Sequence, residues 1–278
     1  MTEPETREAG PRYTEGAPCW ASLLVQELAD AQEFYHELFG WEFQRGPRQM
    51  GPYVRALVDG FEVAGLGEIG DGRRLRSAWL PYMASDDADA TADLIRERGG
   101  TVAVGPLDAE DAGRMAIASD TVGAGFGVWQ SQRPAGDADA AAGTPGTPVW
   151  YELLVRDTAA PGAFYPAVFG YEAKSASSAA SSGPSMVAAA SPGEHGDELT
   201  LSLAGRPIAG IRGVGPDLPR ELGPHWLTFF AVADADAAVH RVRELGGSVL
   251  REPADSPYGR VATIADREGA RLCLVART

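Results

Sequence analysis

The chain has 278 residues, of which 44% are hydrophobic, so it is long and apolar enough to form one large domain or two ordinary ones. Its 24 Lys plus Arg face 39 Asp plus Glu, giving a formal net charge of −15. This acidic balance argues against nucleic acid and against a membrane surface as partners, because both are bound mainly through basic side chains.

The first quarter of the chain predicts a strand, a helix and a hairpin. Residues 20–26 form an apolar run typical of a strand, and 29–39 have the spacing of an amphipathic helix that ends at a glycine. The Asp59-Gly60 pair indicates a tight turn between strands over 53–57 and 61–66.

The next part of the chain predicts a second unit of the same kind. A strand over 79–84 precedes a helix over 86–98, whose acidic first turn suits the helix dipole. Shorter strands complete the unit over 101–104, 114–118 and 126–130. We expect two such βαβββ units in each half of the chain, and therefore an α+β fold with curled antiparallel sheets.

The second half of the sequence repeats the first. The segment 18–25 reappears 130 positions later at 148–155, and a block starting at Trp79 reappears 147 positions later at Trp226. The larger offset places an insertion in the second copy, residues 174–197. Its Ser, Ala, Gly and Pro content indicates a surface loop or, alternatively, a lid over a cleft.

These patterns divide the chain into four parts. We predict a flexible tail over residues 1–16, a first domain over 17–132, a linker over 133–147 and a second domain over 148–278. The repeat leaves open whether clefts form within each half or between the halves.

Aromatic motifs recur in both halves. Phe34-Tyr35 and Phe39-Gly40-Trp41-Glu42 correspond to Phe164-Tyr165 and Phe169-Gly170-Tyr171-Glu172. Each half also has a Trp-Leu strand before an Asp-Ala-Asp segment, and later a Gly-Arg-x-Ala segment. This combination resembles the vicinal oxygen chelate superfamily of glyoxalase I, extradiol dioxygenases and bleomycin-binding proteins, and within it the tandem glyoxalase-like or hydroxylase-labelled proteins of actinobacteria. The resemblance implies two tandem glyoxalase-like domains, each a pair of βαβββ modules around a cleft.

The metalloenzymes of that superfamily hold a metal with His or Glu on the first, fourth, fifth and eighth strands of a domain. The matching positions are Trp20, Gly65, Leu80 and Gly127 in the first half, and Trp150, Gly210, Leu227 and Cys273 in the second. A divalent metal needs several converging N or O donors, and these residues do not supply them. We therefore expect neither a metal nor another cofactor.

Aromatic and polar side chains are predicted to face the clefts. The aromatic set is Trp20, Tyr82, Trp129, Trp150 and Phe229. Such rings bind flat conjugated molecules, or else simply fill the core. Glu152, whose counterpart is Ser22, would have a raised pKa among rings and could act as a general acid or base, with Tyr82 as a second candidate. The apolar ligand positions Leu80, Leu227 and Cys273 are expected to line the clefts.

The remaining charged candidates are few. Of the four histidines, only His225 is expected near a cleft mouth; His36 and His240 have surface positions and His195 lies in the insertion. Arg114 and Arg260 recur at matched sites and could orient an anionic ligand. The favoured interpretation is a structural salt bridge to Asp120 or Asp266.

Together these features predict a metal-independent protein that acts on or binds an aromatic or carbonyl-rich small molecule, as a cofactor-free isomerase, lyase or hydroxylase of secondary metabolism. The alternatives are a resistance protein that sequesters a toxic metabolite, and a glyoxalase that detoxifies methylglyoxal. A tandem chain can imitate a dimer of single domains, so we expect a monomer. Two widely spaced cysteines, a polar N-terminus and no long apolar run predict a cytoplasmic location.

Overall fold

In the computed structural model, the described residues are 13–47, 51–70, 76–110, 112–132, 143–175 and 197–277. The first half consists of β1 (Pro18–Val25), α1 (Leu28–Phe39), β2 (Glu42–Arg45), β3 (Tyr53–Val58), β4 (Phe61–Glu68), β5 (Ala78–Ala84), α2 (Ala88–Glu97), β6 (Thr101–Ala109), β7 (Gly113–Ser119) and β8 (Gly125–Ser131). The second half consists of β9 (Pro148–Val155), α3 (Ala159–Phe169), β10 (Glu172–Ser175), β11 (Glu198–Leu203), β12 (Arg206–Gly213), a 3-10 turn (Gly215–Asp217), β13 (His225–Ala231), α4 (Ala235–Glu244), β14 (Ser248–Ser256), β15 (Gly259–Ala265) and β16 (Arg271–Ala276).

Each half forms its own eight-stranded sheet. The strand order is β2-β3-β4-β1-β5-β8-β7-β6 in the first half and β10-β11-β12-β9-β13-β16-β15-β14 in the second. The two βαβββ modules of a half join through their first strands, which are antiparallel. The predicted tandem α+β fold is confirmed, and each cleft forms within one half. The sheets are mixed rather than antiparallel, because the last strand of each module lies parallel to its first strand.

One strand was not assigned a range from the sequence. β2 is short and exposed at the edge of its sheet, so its residues show no alternation of apolar and polar side chains. The helices start and end close to their predicted positions. Gly40 ends α1 in the left-handed conformation, with φ of 72°. Asp87 and Asp234, the first residues of the Asp-Ala-Asp segments, each accept two backbone N–H groups at the starts of α2 and α4.

The helix-covered faces of both sheets share one hydrophobic core. This core includes side chains of both halves, and Phe39 contacts Phe230 with ring centroids 5.2 Å apart. Two matched hydrogen bonds cross between the halves: the Tyr35 hydroxyl donates to Asp266 at 2.9 Å and the Tyr165 hydroxyl donates to Asp120 at 3.2 Å. The halves are therefore one packed body with internal pseudo-symmetry.

The predicted salt bridges of Arg114 and Arg260 to Asp120 and Asp266 are wrong. Those two aspartates instead accept the crossing tyrosine hydroxyls. Arg114 pairs with Asp89 at 2.7 Å and with Asp108 at 2.8 Å, and Arg260 pairs with the corresponding Asp236 and Asp255. The helices α2 and α4 pack beside these strands, so their first-turn aspartates reach the arginines across a long sequence separation.

The described ends of the predicted tail and linker make hydrogen bonds. Trp41 Nε1 donates to the carbonyl of Gly146 at 2.8 Å, and the Tyr171 hydroxyl donates to the carbonyl of Gly16. The ends of the predicted tail and linker thus contact the opposite half. Residues 1–12, residues 133–142 and most of the predicted insertion, including His195, lie outside the described residues, while Lys174 and Ser175 belong to β10. Within the described part of the chain, no helix is long and apolar enough to cross a bilayer.

Candidate functional site

Each sheet has a second face, turned away from the shared core, on which the predicted cleft residues lie. We call these faces the first cleft (β1–β8) and the second cleft (β9–β16). Side chains alternate along a strand, so Trp150, Glu152 and Leu154 of β9 share one face. In the second cleft a separate apolar cluster contains Trp150, Leu227, Phe229, Val261, Cys273 and Val275. The aromatic residues predicted for the second cleft therefore lie together.

The pairing of the strands places Glu152 where the two modules of the second half meet. Glu152 lies opposite Gly210 on β12 and opposite Leu227 on β13. Trp150, to which the superfamily's ligand position on this strand was assigned, lies opposite Phe229 instead. The first half has the same register, with Ser22 rather than Trp20 opposite Gly65 and Leu80. Glu152, rather than Trp150, therefore lies opposite Gly210 and Leu227, which match ligand positions of the superfamily.

Glu152 is almost completely buried, with 1% of its surface exposed. Its Oε1 accepts Arg212 Nε at 2.8 Å, and Arg212 Nη2 lies 2.9 Å from Glu198 Oε1. Within the described residues, Oε2 of Glu152 has no hydrogen-bond partner. Burial raises the pKa of Glu152 to about 7, an effect that the positive charge of Arg212 opposes and the negative charge of Glu198 reinforces.

Trp150 also presents an unsatisfied polar atom. Its Nε1–H is buried and has no acceptor in the described part of the chain. A side-chain carbon on Gly210 would lie 3.6 Å from both Glu152 Cγ and the Trp150 ring, and 3.8 Å from Trp150 Nε1. The glycine therefore leaves room for a methyl group beside the Trp150 ring and the Glu152 side chain.

His225 lies at the start of β13, opposite Leu154, as the sequence predicted for a cleft mouth. Its Nδ1 is 2.8 Å from the carbonyl of Gly223, which assigns the ring proton to Nδ1. Burial lowers the pKa of His225, so the ring is neutral at pH 7. Among the described residues its Nε2 has no partner and is available as an acceptor.

Arg251 and Cys273 complete the second cleft from the side of the second module. Cys273 Sγ lies 3.5 Å from the Thr263 hydroxyl, and Arg251 is the partner of Thr263 on β14. Cross-strand partners share a face of the sheet, so Arg251 faces the second cleft. Burial raises the pKa of the Cys273 thiol to about 12, so the thiol is protonated at neutral pH.

The first cleft is filled by its own side chains. The Tyr53 hydroxyl accepts Trp20 Nε1 at 3.1 Å, lies 3.4 Å from the Ser22 hydroxyl, and occupies the space over Gly65. The buried ring of Tyr82 covers Gly127 in the same way, and burial raises the pKa of its hydroxyl. Half-buried Trp129 of β8 lies opposite Ala84 of β5. Proton transfer by Tyr82 stays a prediction, in surroundings that oppose its ionisation.

The two clefts differ most in charge. By strand register, Glu152 corresponds to Ser22, Glu198 to Tyr53, and Arg212 to Gly67. Arg251 corresponds to Val104. Sequence analysis identified Glu152 but missed Glu198, Arg212 and Arg251. Their only signal is a charged residue at an alternate position of a strand, which indicates a functional face only once the register is known.

Comparison with known proteins now identifies the family. The family model described as Glyoxalase/Bleomycin resistance protein/Dioxygenase superfamily matches residues 147–274. The chain is 34% identical over 279 residues to anthracycline biosynthesis protein DnrV of Streptomyces peucetius, in an alignment that covers 95% of this chain and 94% of that protein. The chain belongs to this superfamily. It is also 34% identical over 263 residues to putative glyoxylase CFP32 of Mycobacterium bovis, and the alignment covers 93% of this chain and 94% of CFP32.

Solved structures of the superfamily show the same two-domain fold. The 2,3-dioxygenase LapB of Pseudomonas sp. KL28 aligns with a TM-score of 0.61 at 12% identity, over 94% of this chain and 92% of that chain. The Mn(II)-bound glyoxalase of Novosphingobium aromaticivorans aligns with a TM-score of 0.60 at 15% identity, over 94% of this chain and 82% of that chain. At such low identity the likeness concerns the fold alone.

The residues of this chain do not fit the metal that superfamily enzymes such as that glyoxalase bind. In the second cleft the matched positions hold Glu152, Gly210, Leu227 and Cys273. The carboxylate is already engaged by Arg212, and the thiol is held protonated by burial. Across the described residues, no three His, Cys, Asp or Glu side chains come together in a group that could hold a metal ion. This donor set lacks the converging N and O ligands that a divalent metal requires.

Proposed function

We propose that the protein binds an aromatic or carbonyl-rich small molecule in the second cleft and acts on it without a metal, with Glu152 as general acid or base. One observation carries this proposal. A carboxylate that is 1% exposed, with one oxygen lacking a partner, shares a face of the sheet with an unsatisfied indole N–H two residues away, and both side chains lie beside a glycine. Buried polar groups are normally satisfied, so these atoms are arranged to meet a ligand.

The environment of Glu152 suits proton transfer. A general acid or base works best when its pKa lies near the working pH, and that of Glu152 is raised to about 7. Arg212 fixes one carboxylate oxygen and leaves the other, Oε2, to exchange a proton with the ligand. The rings of Trp150 and Phe229 provide apolar area for a flat molecule beside it.

The curated relatives support a role in secondary metabolism. DnrV is named as an anthracycline biosynthesis protein, and its likeness extends over nearly the whole of this chain. Anthracyclines are polycyclic aromatic polyketides, which fits an apolar cleft with a few polar groups. We therefore propose a tailoring enzyme for an aromatic metabolite, of the cofactor-free isomerase, lyase or hydroxylase type.

We also propose that the protein acts as a cytoplasmic monomer. The core shared by the two halves gives the chain an internal pseudo-dimer, so that a second copy is not needed to cover either sheet. Both cysteines are unpaired thiols, which suits a reducing compartment.

The test uses hydroxyanthraquinones and anthrones as probes. Binding is followed by tryptophan fluorescence, and chromatography then shows whether the probe is returned unchanged. We expect Glu152→Gln to bind the probe within about threefold of wild type but to lose turnover by about 10²-fold or more. Ser22→Ala, the matched change in the first cleft, should alter neither property. Dialysis against EDTA should leave both properties unchanged.

Other outcomes contradict the proposal in distinct ways. Tight binding with every probe returned unchanged would favour the sequestering, resistance-type protein. Turnover by Glu152→Gln at the wild-type rate would place the chemistry elsewhere. Activity that EDTA removes and Mn²⁺ or Zn²⁺ restores would favour a metal-dependent glyoxalase.

A further inference from the structure

We propose that Arg251 binds an anionic group of the ligand in the second cleft, so that the ligand is an aromatic acid: a planar molecule with a carboxylate or an ionised phenol. This inference rests on the proposed function, because it takes the second cleft to be the ligand site. It adds the charge of the ligand and the residue that selects it.

The position of Arg251 follows from three neighbouring strands. On β14 it lies opposite Thr263 of β15, which lies opposite Cys273 of β16, and the Thr263 hydroxyl contacts Cys273 Sγ at 3.5 Å. Cys273 in turn lies opposite Phe229. Arg251 is half-buried and shares the face of these residues, so its guanidinium lies at the side of the apolar cluster rather than in bulk water.

Arg251 makes no hydrogen bond or ion pair in the described part of the chain, although Glu152 is near enough to act on its charge. Arg114 and Arg260, by contrast, each pair with two carboxylates. Glu152 and Glu198 are both engaged by Arg212. Burial and the nearby charge of Arg212 lower the pKa of Arg251, and the opposing effect of Glu152 compensates for only part of this. A carboxylate could restore this lost solvation through charge-assisted hydrogen bonds.

The charges around the cleft favour an anion. The groups that face it are Glu152, Glu198, Arg212, His225, Arg251 and Arg271. The cleft therefore contains three arginines and only two glutamates, although the chain as a whole has a net charge of −15. His225 is neutral, and protonation of Glu152 makes the cleft more positive still. A local excess of positive charge attracts an anionic ligand over a neutral one.

The first cleft shows that the fold does not need this arginine. Val104 takes the place of Arg251 in the same register, opposite Ile117, which lies opposite Gly127. The same strands thus form with an apolar residue at this position. The fold thus does not require the charge of Arg251. Because this charge lies in a cleft where other polar atoms also lack partners, it indicates ligand recognition.

The experiment compares two probes of nearly equal shape, anthraquinone-2-carboxylate and anthraquinone-2-carboxamide. Their dissociation constants are measured by tryptophan fluorescence for the full chain and its variants. We expect Arg251→Leu and Arg251→Gln to weaken binding of the carboxylate by about tenfold or more, and binding of the carboxamide by less than about twofold. Arg206→Leu removes the same charge from an exposed site at the start of β12 and should change neither constant.

The outcomes separate this inference from the proposed function. If the wild type binds both probes equally well and Arg251→Leu has no effect on either, the second cleft stands as a ligand site and the role of Arg251 is overturned. If both Arg251 variants bind neither probe while keeping the wild-type melting temperature, Arg251 supports the shape of the site and does not recognise the charge of the ligand. This outcome also overturns the inference. If the wild type binds neither probe, the proposed function fails, and this inference with it.

Discussion

At the scale of single residues, Glu152 is the position where stability and function oppose each other. An ionised carboxylate is costly to bury, and Arg212 compensates for only part of that cost, since the pKa is still raised to about 7. Its counterpart Ser22 shows that a small neutral residue fits the same position of the scaffold. We therefore expect Glu152 to weaken the fold in return for chemistry in the cleft.

This opposition predicts a pH dependence of stability. The pKa of Glu152 is about 7 in the folded protein and about 4.5 when unfolded, so between these values the unfolded chain holds fewer protons than the folded one. The free energy of unfolding of the wild type should therefore fall, relative to Glu152→Gln, as the pH rises from about 5 to 7, by at most about 1.4 kcal/mol per pH unit, and then level off. Urea unfolding of both proteins at pH 5, 6, 7 and 8 measures this difference.

Ser22→Ala provides the matched control, because it changes no ionisable group. Its difference from the wild type should stay constant over the same pH range. If the stability of the wild type relative to Glu152→Gln is also constant, or rises with pH, the raised pKa is contradicted.

The sequence revealed part of this site for a physical reason. A carboxylate in an apolar strand, two residues from a tryptophan, can be recognised without any knowledge of the fold. Arg212 and Arg251 could not be recognised in the same way, because they belong to the site only through strand pairing. The pairing of β14 with β15 shifts register on both sides of Arg251, so counting residues along the strand does not give its direction.

At the scale of elements, the matched strands β4 and β12 explain why the clefts differ. Gly65 and Gly210 occupy the same register beside β1 and β9. Over Gly65 the space is taken by the Tyr53 hydroxyl, which β3 supplies. The corresponding residue of β11 is Glu198, which instead pairs with Arg212 and leaves the space over Gly210 free.

One substitution made at both glycines should therefore have opposite effects. In Gly65→Ala the new carbon collides with Tyr53 and lies 3.1 Å from Trp20 Nε1, so we expect a loss of about 1–3 kcal/mol in unfolding free energy. In Gly210→Ala the nearest atoms are 3.6 Å away, so stability should be kept or should rise by about 0.5–1 kcal/mol. Thermal melting and probe binding are measured on both variants.

The binding measurement gives the second half of this prediction. The methyl group of Gly210→Ala enters the space between Trp150 and Glu152 and should weaken binding of the anthraquinone probes. Full binding by Gly210→Ala would mean that the ligand does not use this space. Equal destabilisation by both alanines would mean that the two clefts are filled alike.

The elements themselves were largely predictable from local signals. The Asp-Gly turn and the helix-ending Gly40 are determined by their own backbone geometry, and the structure contains both where the sequence indicated them. β2 lacks such a signal because it is only four residues long and three of them are exposed. The partners of Arg114 were predicted wrongly because Asp89 reaches the arginine only through the packing of α2 beside β7.

At the scale of the whole molecule, the two halves depend on each other. The repeat in the sequence shows two similar units, but it carries no information about which faces meet. In the structure, Tyr35 accepts Trp79 Nε1 at 3.1 Å and donates to Asp266, and Tyr165 repeats this arrangement with Trp226 and Asp120. Each half therefore contributes buried polar partners to the other.

We expect a monomer of 29.3 kDa in sedimentation that unfolds in a single cooperative transition. Tyr35→Phe leaves the indole N–H of Trp79 and the carboxylate of Asp266 without this partner, and should destabilise the whole protein by about 1–3 kcal/mol. Tyr165→Phe, the matched change, should lower the same transition by a similar amount. Calorimetry that resolves two transitions, or a stable dimer at micromolar concentration, would contradict this description.

The shared core has a further consequence for how a ligand enters. The aromatic contacts and the two crossing tyrosine hydrogen bonds hold the halves together and oppose any opening between them. The second cleft lies on the opposite side of its sheet, so its entrance needs no such opening. Uptake and release of the ligand should then depend on small movements at the rim, around His225, Arg251 and Arg271. Covalent tethering of the two halves would leave the rate of exchange unchanged.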